Sequence, residues 1–574
     1  MMNKIRPVIL LMTIILSALM AYGLWTLPKS RTSGHDGFSS ARVVEDIRVI
    51  SRNHHSVAHP EERAEVREYL VERLQGLGAD TVLQFCYDSL VGPQNKHVEY
   101  TFDAVNVLAE FTPESEQASD TWLMLVAHYD SRYSQPMPKD TVWSYGAADD
   151  GYGVGVILET VSQALKARHN WKQGVKVLFT DAEEVGMMGM KALWENDREV
   201  FDNVGLVLNV EARGTWGPAL LFEACPGNAK VQELYASAAS YPYTYSLTTV
   251  VYGFMPNFTD FTIVKDSLPG LNFSTIADVN HYHTDLDNFS NISEKSIQHY
   301  GEQILPITLK YLTDEVYADK DYLRSDEDKT NFTIPLLGLF SFSKVGYLMV
   351  NIVVFVLFLL IFALEGVRGR LKAGKVSVMS VKVLMASVVA LAAGEGFAYA
   401  CSAAAGAKFK LFGIVQGIPF DNTAMILFIV LLFAACVLVY HNGRTRAARA
   451  VSGSMRASAV ANAVCGYALT TLYGTLALQF ILSAVLLGVL GENMMFFIPL
   501  AISSATLVLW RMTSLKVWLL AAIALILLHA FSFLFALSMA LTIGAIGGVA
   551  LIALIDFMVL IPLADLYLSA TKRK

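Results

Sequence analysis

Long apolar runs most constrain what this chain of 574 residues can fold into. One uncharged run covers residues 7–27, and seven apolar runs lie near 345–365, 379–402, 423–441, 460–486, 494–510, 517–537 and 544–566. Each is long enough to cross about 30 Å of hydrocarbon as a helix. A helix suits the membrane interior because its backbone polar groups hydrogen-bond to one another. The sequence therefore predicts an N-terminal transmembrane anchor (1–27), a water-soluble domain (28–335) and a C-terminal transmembrane helical domain of about seven spans (336–574). For residues 7–27 a cleaved signal peptide is the alternative, and the length of the run favours the anchor.

Charge divides the chain in the same places. Residues 28–335 carry 25 Lys and Arg against 45 Asp and Glu, whereas the remainder carries 19 against 6. The acidic segment offers no basic stripe to neutralise phosphates, so nucleic acid is not an expected partner. The expected partners are the lipid bilayer and the ligands of the acidic domain.

The positive residues of the apolar part gather in alternate loops. With a cytoplasmic N-terminus, the outside loops hold only Lys408 and Lys410. The inside loops hold Arg368, Arg370, Lys372, Lys375, Lys382, Arg444, Arg446, Arg449, Arg456, Arg511, Lys516, Lys572, Arg573 and Lys574. Because cytoplasmic loops are enriched in Lys and Arg, this pattern predicts a multi-pass membrane protein with residues 28–335 outside the cytoplasm. That side is the periplasm or exterior in a bacterium and an organelle lumen in a eukaryote.

Strand-like and helix-like segments alternate within residues 28–335. Predicted strands lie at 81–87, 104–111, 121–127, 174–180, 205–210, 218–223 and 270–274, and predicted helices at 60–77, 153–167, 186–196, 228–240 and 292–317. This alternation is typical of an α/β fold with a mostly parallel mixed sheet flanked by helices. Polar residues 28–40 and 319–335 are predicted linkers. In such sheets a site forms at the carboxyl ends of the strands.

Residues of metal-ligand type follow these strands or turns in five clusters. They are His128-Tyr129-Asp130-Ser131, Gly146-Ala147-Ala148-Asp149-Asp150-Gly151, Asp181-Ala182-Glu183-Glu184, Asn209-Val210-Glu211-Ala212-Arg213 and Tyr282-His283-Thr284-Asp285. Any one of them alone is more often a turn or a solvated helix start than a site. Together, imidazole and carboxylate are the ligands that zinc takes when thiolate is absent, so the set predicts a zinc site.

The order of these clusters resembles the co-catalytic di-zinc aminopeptidase family, which also holds glutaminyl-cyclase-type members. The resemblance covers about residues 45–315 and implies a zinc-exopeptidase fold. With apolar spans on both sides, the chain looks like the membrane branch of that family, which includes endoplasmic reticulum metallopeptidases and vacuolar membrane proteases.

The resemblance implies a role for each matched position. His128 and Glu211 would bind one zinc ion, Glu184 and His283 would bind a second, and Asp149 would bridge the two. Glu183 matches the general base, Tyr282 a donor to the developing oxyanion, and Asp130 a carboxylate that orients His128. The peptide bond after Asp149 is expected to be cis. Many soluble members of the family have Asp where this chain has Glu211.

The resemblance implies hydrolysis of peptide or protein substrates, with an aminopeptidase preferred. An acidic site suits a free amino group, whereas the only cation near the clusters is Arg213, which could bind a substrate carbonyl or carboxylate or form a plain ion pair. The alternatives are glutaminyl-cyclase-like acyl transfer with one zinc ion, a non-catalytic receptor, and a transport-coupled protein. Glu395, His529 and Asp556, which are ionisable residues within apolar runs, motivate the last of these.

Overall fold

The computed structural model describes residues 2–23, 27–92, 101–116, 118–132, 135–136, 141–253, 257–451 and 457–569. The chain divides into two compact units. The helical unit comprises Met1–Trp25, Ile334–Leu337 and Val345–Lys574, and the sheet unit comprises Thr26–Thr333 and Gly338–Lys344.

Helix α1 (Met2–Gly23) belongs to the helical unit. The elements that follow are α2 (Ser40–Ile50), α3 (Pro60–Gly76), β1 (Thr81–Val91), β2 (Thr101–Phe111), β3 (Trp122–His128), β4 (Gln135–Pro136), β5 (Thr141–Val142), α4 (Gly151–Leu165), β6 (Gly174–Thr180), α5 (Met188–Asn196), β7 (Val204–Ala212), β8 (Trp216–Ala224), α6 (Ala229–Ala238), α7 (Ser246–Gly253), α8 (Phe261–Val264), β9 (Gly270–Ala277), α9 (Glu294–Thr313), β10 (Lys329–Ile334) and β11 (Gly338–Ser343). The predicted strands and helices of the hydrophilic segment all have counterparts in this order.

Seven strands form one mixed sheet in the order β1-β2-β6-β3-β7-β9-β8. The central strands β6, β3, β7 and β9 are parallel, whereas β1, β2 and β8 pair antiparallel at the two edges. Every residue of β6 and β7 is buried, so both faces of the sheet centre are covered. The predicted fold class, a mixed sheet flanked by helices together with a helical region, is confirmed.

Glycine at the start of α4 lets this helix approach the end of β7. A Cβ atom on Gly153 would collide with the side chain of Asp150 and with the backbone oxygen of Val210. Asp150 caps the helix by accepting a hydrogen bond from the Gly153 N–H at 2.9 Å. The turn that carries Asp149 and Asp150 is thereby held against the carboxyl end of a central strand.

Two segments of the sheet unit differ from the sequence prediction. The predicted linker at 319–335 contains β10, which pairs with β11 as a small hairpin and has five of its six residues buried. Helix α2 was not predicted, although Val43, Ile47 and Ile50 are buried on one of its faces. Its short apolar stripe is interrupted by charged residues, which obscures the helical period.

The helical unit contains, after α1, helices α10 (Lys344–Val367), α11 (Ala373–Ala405), α12 (Asp421–Arg449), α13 (Ala457–Leu490), α14 (Met494–Thr513), α15 (Val517–Leu541) and α16 (Ile546–Leu568). Among the described residues, eight helical segments are long and apolar enough to cross a membrane, the first at Ile5–Tyr22. They correspond to the eight predicted spans. Of the loop residues in the charge argument, Arg456, Lys572, Arg573 and Lys574 lie outside the described residues.

Candidate metal centre

Neighbouring parallel strands bring the predicted site residues to one edge of the sheet. His128 is the last residue of β3, Glu184 follows β6 by four residues, and Glu211 lies near the end of β7. Because β6, β3 and β7 are adjacent and parallel, their carboxyl ends meet at this edge. Asp149 lies in the turn before α4, and His283 lies in the loop after β9 with a left-handed φ of 59°.

The five residues converge on Asp149. The His128 Nε2 atom lies 3.2 Å from Asp149 Oδ1 and 3.6 Å from Glu211 Oε2. On the other side, His283 Nε2 lies 3.3 Å from Asp149 Oδ2 and 3.1 Å from Glu184 Oε2. The two oxygens of one carboxylate therefore face two separate pairs of ligand-type side chains.

The chemistry of these side chains fits divalent cations. Two groups have ligand atoms that lie within 4.8 Å of one another, namely His128 with Asp150 and Glu211, and Asp149 with Glu184 and His283. Three buried atoms of the second group, Asp149 Oδ2, Glu184 Oε1 and His283 Nε2, make no hydrogen bond among the described residues. Buried carboxylates that face each other without hydrogen-bond donors are unfavourable unless a cation lies between them.

Asp150, unlike Asp149, is already engaged by the backbone. Its Oδ1 atom caps α4, although its side chain also belongs to the group that contains His128. The Asp149–Asp150 peptide bond is cis, as expected from the sequence.

Asp130 contacts His128 through both its backbone oxygen and its carboxylate. The His128 Nδ1 atom hydrogen-bonds to the backbone oxygen of Asp130 at 3.0 Å, whereas the carboxylate Oδ1 lies at 3.5 Å. The Asp130 carboxylate also accepts hydrogen bonds from the backbone N–H groups of Glu183, at 2.9 Å, and Glu184, at 3.3 Å. The sequence could not reveal this, because Asp130 is held by a turn on the neighbouring strand β6.

Glu183 and Tyr282 lie beside the cluster. The Glu183 side chain belongs to neither metal-type group, and its backbone N–H donates to Asp130. Burial raises the pKa of its carboxyl well above the usual value, and Glu211, Asp260 and Glu184 add to this increase while His128 opposes it. The ring of Tyr282 stacks on His283, with ring centroids 3.6 Å apart.

Three further polar side chains, to which the sequence analysis assigned no role, support the site. Arg132 donates to Glu184 Oε2 at 3.1 Å and also to the backbone oxygen of Glu184. Asp287 accepts hydrogen bonds from the N–H groups of Ala148 and Asp149, at 2.7 and 3.3 Å, and so fixes the turn before α4.

Asp260, the third, is 1% exposed and accepts a hydrogen bond from Thr180 at the end of β6. Burial raises the pKa of Asp260 to about 7. The stretch Thr259-Asp260-Phe261 also belongs to the family resemblance, which did not indicate a role for Asp260.

Residues 106–308 match the sequence model of Peptidase family M28. Among curated proteins, endoplasmic reticulum metallopeptidase 1 of Mus musculus is 26% identical over 333 residues, covering 54% of this chain and 35% of that protein. Vacuolar membrane protease of Penicillium rubens is 24% identical over 331 residues, covering 52% of this chain and 32% of that protein. The matched part thus spans about a third of the length of these relatives.

Two solved structures also resemble the chain. A Zn-dependent exopeptidase from Parabacteroides distasonis has a TM-score of 0.38 and 19% identity, covering 49% of this chain and 99% of that chain. A glutaminyl cyclase from Bacteroides thetaiotaomicron has a TM-score of 0.38 and 16% identity, covering 48% of this chain and 98% of that chain. With residues 106–308 matched and the predicted ligands inside that range, the sheet unit contains a Peptidase family M28 domain.

Proposed function

We propose that this chain is a membrane-anchored zinc metallopeptidase, and that it acts as an aminopeptidase. The observation that carries the proposal is the position of Asp149, whose two carboxylate oxygens face His128 on one side and His283 on the other. A shared carboxylate between two imidazole-carboxylate pairs suits two divalent ions better than one.

In this proposal His128 and Glu211 hold one zinc ion, Glu184 and His283 hold the other, and Asp149 bridges them. When bound, the zinc ions act as Lewis acids and lower the pKa of a water molecule toward neutrality. Asp130 and Arg132 orient Glu184 through its backbone and its carboxylate, and Asp287 orients the turn that carries Asp149. Ligands held in this way keep their geometry during turnover.

Glu183 is proposed as the general base. Its carboxylate takes a proton from the attacking water and then delivers that proton to the leaving amine. Because Glu183 belongs to neither group of ligand-type side chains, its carboxylate is available for proton transfer. Tyr282 is proposed to donate a hydrogen bond to the carbonyl oxygen as negative charge develops on it.

An acidic environment favours substrates with a free amino terminus. Electrostatic repulsion from Glu211 and Asp260 adds to the raised pKa of Glu183, and repulsion from Glu211 adds to that of Asp260. A protonated amine placed among them would reduce this repulsion, whereas a blocked amino terminus would not. Glutaminyl-cyclase-like acyl transfer remains the second candidate by family resemblance, and it requires one zinc ion where we propose two.

The site is proposed to face away from the cytoplasm. Eight candidate spans and the concentration of Lys and Arg in alternate loops support a multi-pass protein with that orientation. Protease protection of residues 28–335 in sealed vesicles of known orientation tests this part of the proposal.

Metal analysis together with a peptide panel tests the proposed activity. The detergent-solubilised full chain is assayed for zinc, then incubated with Leu-Gly-Gly, its N-acetylated form, and a glutaminyl peptide able to cyclise. We expect two zinc ions per chain, release of leucine from the free peptide, and no reaction of the acetylated peptide. One zinc ion together with cyclisation of the glutaminyl peptide would establish the cyclase instead.

A further inference from the structure

Arg213 places a positive charge at the wall of the proposed metal centre. It follows Glu211 by two residues, and its backbone N–H donates to Thr275 on the neighbouring strand β9 at 3.1 Å. Its guanidinium carbon lies 6.0 Å from the centroid of the Tyr282 ring, and that ring stacks on His283. A cation at this distance interacts with the face of an aromatic ring, so Arg213 adjoins the residues proposed to bind metal and substrate.

Arg213 has no acidic partner among the described residues, in contrast to three other arginines of the sheet unit. Arg63 pairs with Asp181 at 3.3 Å, Arg73 with Asp46 at 2.7 Å, and Arg132 with Glu184 at 3.1 Å. Within the described residues no carboxylate oxygen lies within 4.0 Å of Arg213, and its Nε atom makes no hydrogen bond.

The side chain of Asn257 is the neutral partner of Arg213. With its amide oxygen turned toward the guanidinium, Asn257 accepts hydrogen bonds from Nη2 at 3.0 Å and from Nη1 at 3.2 Å. A neutral amide orients a guanidinium but does not neutralise it. A partly buried cation without a counter-ion is unfavourable, and an arriving anion would remove that cost.

We propose that Arg213, oriented by Asn257, forms a subsite that binds a carboxylate of the peptide substrate. This proposal rests on the proposed peptidase function. The planar guanidinium suits a carboxylate because two parallel N–H groups can donate to its two oxygens. The carboxylate is either the α-carboxylate of a short peptide or an acidic side chain, which share this chemistry.

The arrangement of side chains supports a zwitterionic substrate. The Glu211 carboxyl, 3.6 Å from His128 Nε2, lies where a free amine is proposed to bind, and Arg213 presents positive charge beside Tyr282. A short peptide carries its amine and its carboxylate a few ångströms apart, so one molecule could satisfy both regions. Asn257 acts here as a positioning residue, and Arg213 contacts the substrate.

Matched substrates that differ only in charge test the subsite. The detergent-solubilised full chain is assayed with Ala-Ala, Ala-Ala-NH2, Ala-Asp-NH2 and Ala-Asn-NH2. For the wild type we expect kcat/KM to be about 10- to 100-fold higher for an acid than for its amide, which corresponds to one charge-assisted hydrogen-bonded pair. The first pair of peptides reports on the α-carboxylate and the second on an acidic side chain.

Arg213→Met should remove this preference, mainly by raising KM for the two acids toward the values of their amides. Arg213→Lys should restore part of the preference because it keeps the charge without the planar fork. Arg198→Met is the control, because Arg198 also lies over an aromatic ring, that of Trp194, but is exposed and outside the site. An equal loss of kcat on acids and amides would overturn the proposal and assign Arg213 to the carbonyl oxygen instead.

A binding measurement separates failure of the subsite from failure of the proposed function. Calorimetry compares N-acetyl-alanine with N-acetyl-alaninamide on zinc-loaded protein, with zinc content measured for each variant. Arg213-dependent binding of the acid without any peptide hydrolysis would support the subsite and refute the peptidase. Hydrolysis with no Arg213-dependent difference between acid and amide would refute the subsite and leave the peptidase standing.

Discussion

The carboxylates of the metal-type cluster in the sheet unit differ from Glu365 in the helical unit in their hydrogen-bond partners. In the sheet unit, Asp149, Glu184 and Glu211 gather around two imidazoles, and several of their atoms make no hydrogen bond among the described residues. In the helical unit, Glu365 is 1% exposed and accepts hydrogen bonds from Arg511 at 2.5 Å and from Arg370 at 3.2 Å. Glu365 is thus paired with protein cations, whereas Asp149 Oδ2 and Glu184 Oε1 of the metal-type cluster have no hydrogen-bond partner among the described residues.

Other ionisable groups of the helical unit are solitary. Asp556 accepts a hydrogen bond from Gln479 at 3.2 Å, and His529 stacks on Phe533. The two carboxylate oxygens of Glu395 make no hydrogen bond to the described residues, but no second metal-type side chain joins this residue there. An unsatisfied carboxylate alone does not indicate a metal site, whereas several that converge with histidines do.

The shared position of Asp149 gives the largest expected effect. Asp149→Asn should reduce zinc from two ions to fewer than one per chain and abolish peptide hydrolysis, because both ligand groups lose a charged oxygen. Glu184→Gln should reduce zinc to about one ion, since it alters one group. Metal analysis of the purified variants measures both.

Asp266→Asn is the control for these variants, because Asp266 is exposed in the same unit. It should keep two ions. If Asp149→Asn kept two ions, the bridging role of Asp149 would be wrong. The contrast with the helical unit, where no carboxylate is proposed to share ions, would then fail.

Glu183→Gln should separate catalysis from metal binding. We expect kcat to fall by about 10²- to 10⁴-fold with zinc content unchanged, because general base catalysis contributes this range and Glu183 belongs to neither ligand group. Steady-state kinetics with a free dipeptide, alongside metal analysis, measures both quantities. Glu195→Gln, an exposed substitution on α5, should leave both at wild-type values.

The sequence predicted those features that depend on local patterns. Apolar length predicted the spans, and the run Gly174–Thr180 predicted β6 with its observed bounds. The ligand residues were found through the order of their motifs, which places each one just after a strand or in a turn. Their convergence on Asp149 depends on the strand order β6-β3-β7, which no local pattern contains.

Features that depend on contacts between distant segments could not be predicted. The carboxylate of Asp130 binds backbone N–H groups of the loop after β6, and Asp287 binds those of a turn about 140 residues earlier in the chain. Arg132 and Arg213 look alike in the sequence, since both follow a strand end within a few residues. Only the tertiary structure distinguishes the arginine that pairs with Glu184 from the one that pairs with no acid.

Breaking the ion pair of the helical unit should affect stability and leave catalysis intact. The side chains of Arg511 and Glu365 are 6% and 1% exposed, so Arg511→Met removes the buried cation and leaves the more exposed Arg370 and Arg368 beside the carboxylate. We expect the free energy of unfolding to fall by about 3 kcal/mol. Thermal unfolding in detergent measures this loss, and dipeptide hydrolysis at 25 °C should keep its wild-type kcat.

Arg370→Met is the matched comparison, because the Arg370 side chain is 37% exposed and its pair with Glu365 is therefore weakened by solvent. It should cost less than about 1 kcal/mol. If Arg511→Met stopped hydrolysis without lowering stability, buried charge in the helical unit would serve catalysis, and the contrast between the units would fail.

The smallest expected effect concerns His299, a buried histidine on α9 away from the metal centre. Its Nδ1 atom accepts hydrogen bonds from the Ala219 N–H and from Gln303, each at 3.1 Å, and burial lowers its pKa to about 3. Because the folded-state pKa lies below the unfolded value of about 6.5, this histidine destabilises the fold as pH falls below 6.5 toward 3. Between pH 7 and pH 5 the loss should be about 1–2 kcal/mol. His299→Gln should therefore make the melting temperature fall less between pH 7 and pH 5 than it does in the wild type. An equal fall in both proteins would show that other groups, such as the carboxylates of the site, determine the acid sensitivity of the sheet unit.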